Sequence, residues 1–477
     1  MKKSFGCIVI LGVLEGCTVG PDYRKPVSTV PSHWQAEKTA EVGLKPVAPE
    51  NLKNWWKSFG DVRLNHLMDA AMSDNLDMKI ALTRIDQARA ERRGTRAELF
   101  PTVNVKAGAQ RQENPLPGLA PGIRYNMFEL GFDALWEIDL FGRVQRRLEA
   151  AYADLEAASE EYLQSLVILT AELARSYVDY RSIQNQLQIT HSNLIAQQHT
   201  LELTETLFRE GVGTRHEVVR ARALTETTMA QIPTLEAQLV GSLHQIEVLV
   251  GRQPGSLSEN LNELASVPQA PGKEILASPA ATIRNRPDIR IAERHLAAAT
   301  AMQGTAIAEL YPKISLSAFL GLRNTDVESL FKSAAFSYGT AANLLQPLLN
   351  FGRIRAGIDL ANAKQKEVYL TYQKAILEAL QEIETALTKY LNEEIRRQML
   401  ARSATDLHES VRLAQLRFQE GVISFLDVLD AQRTLYVAEI DLARSEAEAS
   451  TNLIAVFKAL GGGMNTNASQ VQLSQSR

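Results

Sequence analysis

The chain has only two cysteines in 477 residues, Cys7 and Cys17, and none follows them. Beyond residue 17 an intrachain disulfide, a thiolate zinc site and a cysteine nucleophile are therefore excluded. Aromatic residues are scarce at 6%, and no run of 18 apolar residues occurs after residue 20, which excludes a membrane-spanning helix there. Strong charge of one sign is lacking too. The net charge of −4 offers no basic face for nucleic acid. What is present is a 45% hydrophobic fraction, normal for a packed chain rather than a disordered one. Plentiful Ala, Leu, Glu, Gln and Arg favour long helices. The mean hydropathy of −0.15 leaves membrane strands open, because these are short and alternate in polarity. Length alone suggests about three domains.

Lys2 and Lys3 precede the apolar stretch Phe5 to Leu14, a charged region and an apolar region of signal-peptide length. Its end, Leu14-Glu15-Gly16-Cys17, resembles a bacterial lipobox, although Glu15 departs from the small or apolar residue usual there. The resemblance implies a signal peptide over 1–16 and lipidation of Cys17 as the first mature residue. Thr18 follows where lipoproteins kept at the inner membrane have Asp, which favours the outer membrane.

The chain repeats itself. Asn75-Leu76-Asp77 returns as Arg286-Pro287-Asp288, Ala97-Glu98-Leu99-Phe100-Pro101 as Ala308-Glu309-Leu310-Tyr311-Pro312, and Phe141-Gly142-Arg143 as Phe351-Gly352-Arg353. Phe208-Arg209-Glu210-Gly211-Val212 returns as Phe418-Gln419-Glu420-Gly421-Val422, and the offset stays at 210 or 211 throughout. Two units, 64–251 and 276–462, follow an N-terminal segment 17–63. A Pro/Gly/Ser-rich linker at 252–275 joins them, and a tail over 463–477 ends the chain.

Each unit reads helix, strand, loop, strand, very long helix, turn, helix. Strands are expected at about 102–112, 125–140, 313–323 and 335–348. Phe128, Leu130, Phe132, Ala134, Trp136 and Ile138 alternate with Glu129, Gly131, Asp133, Glu137 and Asp139, so the second strand has one apolar and one polar face. Strands of roughly ten residues suit a tilted bilayer crossing. Four cannot close a barrel, and an open sheet in lipid leaves backbone groups unpaired at a cost of several kcal/mol each. Either the sheet packs on a soluble core or several chains pool their strands. Asn114-Pro115-Leu116-Pro117-Gly118 suits an external loop.

From Phe141 to Phe208 there is no proline, and Leu166, Leu173, Tyr180, Leu187, Leu194, Leu201 and Phe208 recur every seven residues, the pattern of supercoiled helices. At 1.5 Å per residue this helix would measure roughly 105 Å, and the helices 64–99 and 214–250 about half that each. Two half-length helices beside each long one would make a rod with strands at one end. Gly211 suits a left-handed cap, and Thr214 to Glu217 reads as a capping box; Gly421 and Ser424 to Asp427 repeat the design.

Several further motifs stand in this order: Cys17-Thr18-Val19-Gly20-Pro21-Asp22-Tyr23, Asn54-Trp55-Trp56-Lys57-Ser58-Phe59, Trp136-Glu137-Ile138-Asp139-Leu140-Phe141-Gly142-Arg143, Asn285-Arg286-Pro287-Asp288 and Asp427-Val428-Leu429-Asp430-Ala431-Gln432. Together they resemble the outer membrane factor family, the TolC-like channels of Gram-negative efflux systems, in its lipoprotein branch. The resemblance implies a mixed fold: a homotrimer whose chains each give four strands to a twelve-stranded transmembrane β-barrel, continued by an α-helical coiled-coil barrel in the periplasm. It implies passive conduction, an inner-membrane pump and a periplasmic adaptor as partners, outer membrane lipid around the barrel, no cofactor and no metal. It places a closed gate at the helical tips, with Arg412, Arg417, Gln419 and Glu420 as candidates and Arg209 and Glu210 at the matching first tip. Glu129, Asp133, Glu137 and Asp139 would line the barrel lumen and favour cations. Two other readings compete: a non-conducting periplasmic coiled-coil scaffold lipoprotein, and a carboxylate-based hydrolase. For the latter, neither a phosphate loop nor a catalytic histidine spacing is found.

Overall fold

The computed structural model describes residues 18–27, 30–35, 45–46, 52–113, 124–269, 274–276 and 279–463. The signal segment 1–16, the lipidation candidate Cys17, the loop Asn114 to Gly118 and the tail after Gly463 lie outside the described residues. In chain order the elements are β1 (Lys45–Pro46), α1 (Val62–Asp74), α2 (Leu76–Ala97), β2 (Thr102–Glu113), β3 (Arg124–Ile138), α3 (Arg143–Arg209), α4 (Arg215–Met229), α5 (Ile232–Leu249), the short α6 (Ser258–Leu261) and β4 (Glu274–Leu276). Then come α7 (Pro279–Asn285), α8 (Pro287–Ala308), β5 (Lys313–Asn324), β6 (Phe336–Leu345), α9 (Arg353–Gln419) and α10 (Phe425–Ala459). Among the described residues no helix is long and apolar enough to cross a membrane.

Three expected helices are interrupted, each by an identifiable residue. Helix 64–99 breaks at Asn75, whose side chain accepts from Met78 N at 3.0 Å and donates to Leu249 O at 2.9 Å. Helix 214–250 breaks between α4 and α5, where Pro233 in the first turn of α5 has no N–H to give the preceding turn. Pro287 separates α7 from α8 in the same way. No such residue interrupts α10, which is continuous over 35 residues.

The chain forms two compact units. The first holds residues 1–28, 83–159 and 290–374 and contains a four-stranded antiparallel sheet in the order β2-β3-β5-β6. β3 ends at Ile138, two residues earlier than expected, because Leu140 N turns back to Ile138 O at 2.9 Å. β6 stops at Leu345 rather than 348, since Pro347 cannot donate to the ladder. Phe141-Gly142 and Phe351-Gly352 both need positive φ, +75° at Gly142 and +87° at Gly352, to turn from strand into long helix. That explains the repeated Phe-Gly-Arg. An alanine cluster, Ala150, Ala153, Ala297, Ala298 and Ala301, lets α3 and α8 approach closely, with Tyr23 packed on it.

The second unit holds residues 29–82, 160–289 and 375–477. Trp55 stacks on Phe457 with ring centroids 5.2 Å apart, and Trp55, Trp56 and Phe59 are buried in one 3-10 turn. Asp61 caps α1 through one carboxylate oxygen and accepts from Tyr177 OH at 2.7 Å with the other. Arg181 is fully buried, with its guanidinium on Glu263 O at 2.8 Å and Tyr177 OH at 3.1 Å. β1 and β4 form a short parallel pair.

The heptad pattern on α3 changes character along its length. Leu166, Leu173, Tyr180 and Leu194 are buried, but Leu187 and Leu201 are half-buried and Phe208 is exposed. Beyond Tyr180 the buried stripe is mostly polar, formed by Ser182, Gln186, Thr190, Gln197, Thr200 and Thr204. These polar groups meet α10: Thr190 Oγ1 lies 3.2 Å from Tyr436 OH, Gln186 accepts from Arg444 at 3.1 Å, and Gln432 donates to Thr200 at 3.3 Å.

Candidate barrel wall and helical tips

Register assigns the two faces of the sheet. Val103, Val105, Phe132, Trp136, Leu316, Leu320, Tyr338 and Leu344 share one face, and Val105 is 72% and Tyr338 78% exposed on it. An apolar surface this open in one chain is built to be covered by lipid or protein. Trp136, near the helical end of β3, satisfies its indole N–H on Leu99 O at 2.9 Å. The opposite face carries Asn104, Lys106, Gln110, Glu129, Asp133, Glu137, Ser315, Ser317 and Arg323.

Three of the four acidic candidates on this wall are engaged. Glu129 is buried between Lys106 at 2.7 Å and Arg323 at 3.1 Å. Glu137 accepts from Arg143 at 2.9 Å, at the start of α3. Asp139 lies beyond the strand and accepts from Gln145 N at 2.7 Å, so it serves the helix start and leaves the strand face. Asp133 remains on the polar face. Glu129 and Glu137 are thus ion-paired with neighbours that single-strand alternation could not reveal, while Asp133 and Asp139 have no cationic partner among the described residues.

The tips follow the encoded design. Gly211 has φ +76° and Gly421 +71°, and Val212 N and Val422 N close back on Leu207 O and Arg417 O at 3.0 and 2.8 Å. Thr214 and Glu217 form a complete capping box, and at the second tip Asp427 accepts from Ser424 N at 2.9 Å and from Ser424 Oγ at 3.0 Å. Phe418 and Phe425, with centroids 5.2 Å apart, join Ala221, Leu224, Leu201, Leu426 and Leu429 in an apolar knot beneath the turns, which brings the two tips together. Arg412 is held within its own helix by Glu409 at 2.6 Å, and Arg209 by Thr206 at 3.1 Å. Arg417, Gln419, Glu420 and Glu210 are exposed, and their side chains have no partner among the described residues.

Sequence spacing missed one polar centre near the start of α8. Arg286 is buried and donates to Asp288 and Glu382, each at 2.7 Å, and to Ala459 O. Asn285-Arg286-Pro287-Asp288 thus ties α7 and α8 to α9 and α10.

A sheet with one apolar and one polar face, joined to helices of 67 residues, defines a class of membrane channel fold. The family model for outer membrane efflux proteins matches residues 67–252 and again 279–462, and the chain belongs to that family. The chain is 33% identical to nodulation protein T of Rhizobium leguminosarum bv. trifolii, over 95% of this chain and 96% of that one. It is 31% identical to the solvent efflux pump outer membrane protein SrpC of Pseudomonas putida, over 98% of this chain and 99% of that one. Among solved structures, the outer-membrane channel OprN superposes with a TM-score of 0.87 at 34% identity, covering 94% of this chain and 99% of that one.

Proposed function

We propose that this chain is the outer membrane channel of a tripartite efflux system, conducting small molecules passively from an inner-membrane pump and periplasmic adaptor to the exterior. One observation carries the reading. The sheet has an apolar face, a polar face and two open edges, β2 and β6. Unpaired edges are untenable in lipid, and three copies would join them edge to edge into a closed twelve-stranded barrel with the polar face inward. Apolar residues left open on the long helices, Ile195 and Leu203 among them, suit packing between copies.

The start of the described chain supports the lipid anchor. Val19 N donates to Phe141 O at 3.2 Å, and Thr18 is packed so closely on Gly142 that an added Cβ would lie 2.7 Å from it. Thr18 and Val19 are therefore fixed at the strand–helix junction, and lipidation of Cys17 would tether the chain to the membrane. The adaptor docks at the tips, and Arg417, Gln419 and Glu420, with Arg209 and Glu210 beside them, form the closed gate.

Membrane fractionation tests the proposal. The channel requires detergent for extraction and runs as a trimer that heat dissociates. A scaffold lipoprotein with a soluble sheet would release from Cys17→Ser cells without detergent.

A further inference from the structure

The polar wall holds a second arrangement, built around three glycines. Gly131 on β3 and Gly321 on β5 are register partners, and a Cβ on either would lie 3.0 Å from the Phe319 ring. A Cβ on either would also clash with the partner strand's backbone, so the two glycines let the strands close up and leave a shallow recess on which the ring lies. Arg323 folds back along β5 so that its guanidinium carbon lies 4.6 Å from the ring centroid. Its Nη2 donates to Glu129 Oε2 at 3.1 Å, while Lys106 Nζ from β2 reaches Oε1 at 2.7 Å. Gly108 makes room for that carboxylate, since a Cβ there would lie 3.1 Å from it. Seven positions on three strands therefore fix one cluster against the wall.

The three charges are not equally presented. The Glu129 side chain is 8% exposed, whereas Lys106 is 49% and Arg323 40% exposed. The anion forms the floor and the two cations form the surface. Each cation has N–H donors beyond the one that binds Glu129. The cluster carries one net positive charge per chain, and its outward side is more positive than that sum.

We propose that this cluster is an anion-contacting band on the barrel wall, which draws multivalent anionic solutes along the lumen. The inference rests on the channel reading above, in which three copies set the band into a ring. Convergent cations inside a low-dielectric wall raise the local concentration of anions and hold them briefly. This charge is opposite to the one that the acidic residues of β3 alone would give.

The test uses the full-length protein in planar bilayers at low salt, where screening is weak, with inorganic tripolyphosphate added on the barrel side. Tripolyphosphate should block the native current, and the Lys106→Gln/Arg323→Gln double variant should need about tenfold more for the same block. Arg323→Lys keeps the charge and should retain the block. Phe319→Leu disturbs the recess and leaves all charges, so it should also retain it. Glu129→Gln should deepen the block. Equal block in the native protein and the double variant overturns the band alone. So does a loss of block in Phe319→Leu matching that of the double variant, which would assign the effect to packing. Inserted protein that passes no current, either native or with Arg417→Ser opening the gate, overturns the channel reading and the band with it.

Discussion

Arg146 donates through Nη2 to Asp22 at 2.8 Å, and so joins the long helix that follows the second strand to the first described segment of the chain. The same guanidinium reaches Val19 O at 3.1 Å, Gly20 O at 3.2 Å and Glu149 at 2.7 Å. A Cβ on Gly20 would clash with the Gly304 backbone, and a Cβ on Gly304 would lie 2.8 Å from the Arg146 side chain. One buried side chain therefore holds residues 19–22 in place. Arg146→Met should cost about 2 kcal/mol, because several charge-assisted bonds are lost while Asp22 stays in water. It should also speed tryptic cleavage after Arg24. Unchanged melting and unchanged cleavage would contradict this role.

Lys25 and Glu293 set an acid dependence. Burial pushes the Glu293 carboxyl up, but Lys25 Nζ at 2.6 Å and Arg294 at 2.7 Å outweigh it and hold the group below the usual carboxylate range. A depressed folded-state pKa contributes stability that is present above the unfolded value of about 4.3 and is lost as pH falls through the folded value. Lys25→Met should flatten stability against pH below about 4.3, and should cost about 1 kcal/mol at pH 7 given the half-exposed lysine. Matching acid unfolding curves for native and variant protein would count against the pair.

The tip turns should respond to small changes. Gly421→Ala meets no neighbour, so its cost is that of the left-handed backbone, about 1 kcal/mol. Thr214→Ala removes a capping box and should cost about 1 kcal/mol, while Ser424→Ala removes only the Oγ donor to Asp427 and should cost less. Amide exchange confined to the two turns is the readout, and faster exchange at the first residues of α4 and α10 is expected.

Charge removal separates the gate candidates. Arg417→Ser or Glu420→Gln should raise conductance or vancomycin entry into cells. Arg412→Ser should do less, because Arg412 is already satisfied by Glu409 within its own helix. An increase with Arg412→Ser alone would place the gate elsewhere.

Much of this was legible in the residues because it depends on local rules. Alternation on β3 needs only the pleat, the Phe-Gly turns need only a positive φ, and the capping boxes span four residues. The helix breaks at Asn75 and between α4 and α5 were less visible. Asn75 acts through Leu249, far away in sequence, and Pro233 reads as tolerable in a first turn until the preceding helix is known to end. The polar stripe from Ser182 to Thr204 was hidden by leucines three residues away that keep the same seven-residue period. The Lys106–Glu129–Arg323 cluster was hidden because its members come from three strands, and only register joins them. Cross-strand neighbours turned an acidic wall into a nearly balanced one.

The central claim is that three copies of this chain form an open duct through the outer membrane. Single-channel recording of the purified, detergent-extracted protein in planar bilayers tests it most directly. The account predicts discrete conductance steps that Arg417→Ser or Glu420→Gln enlarges. Protein that enters the bilayer as a heat-dissociable trimer, yet gives no steps in the native form or in either variant, would contradict it.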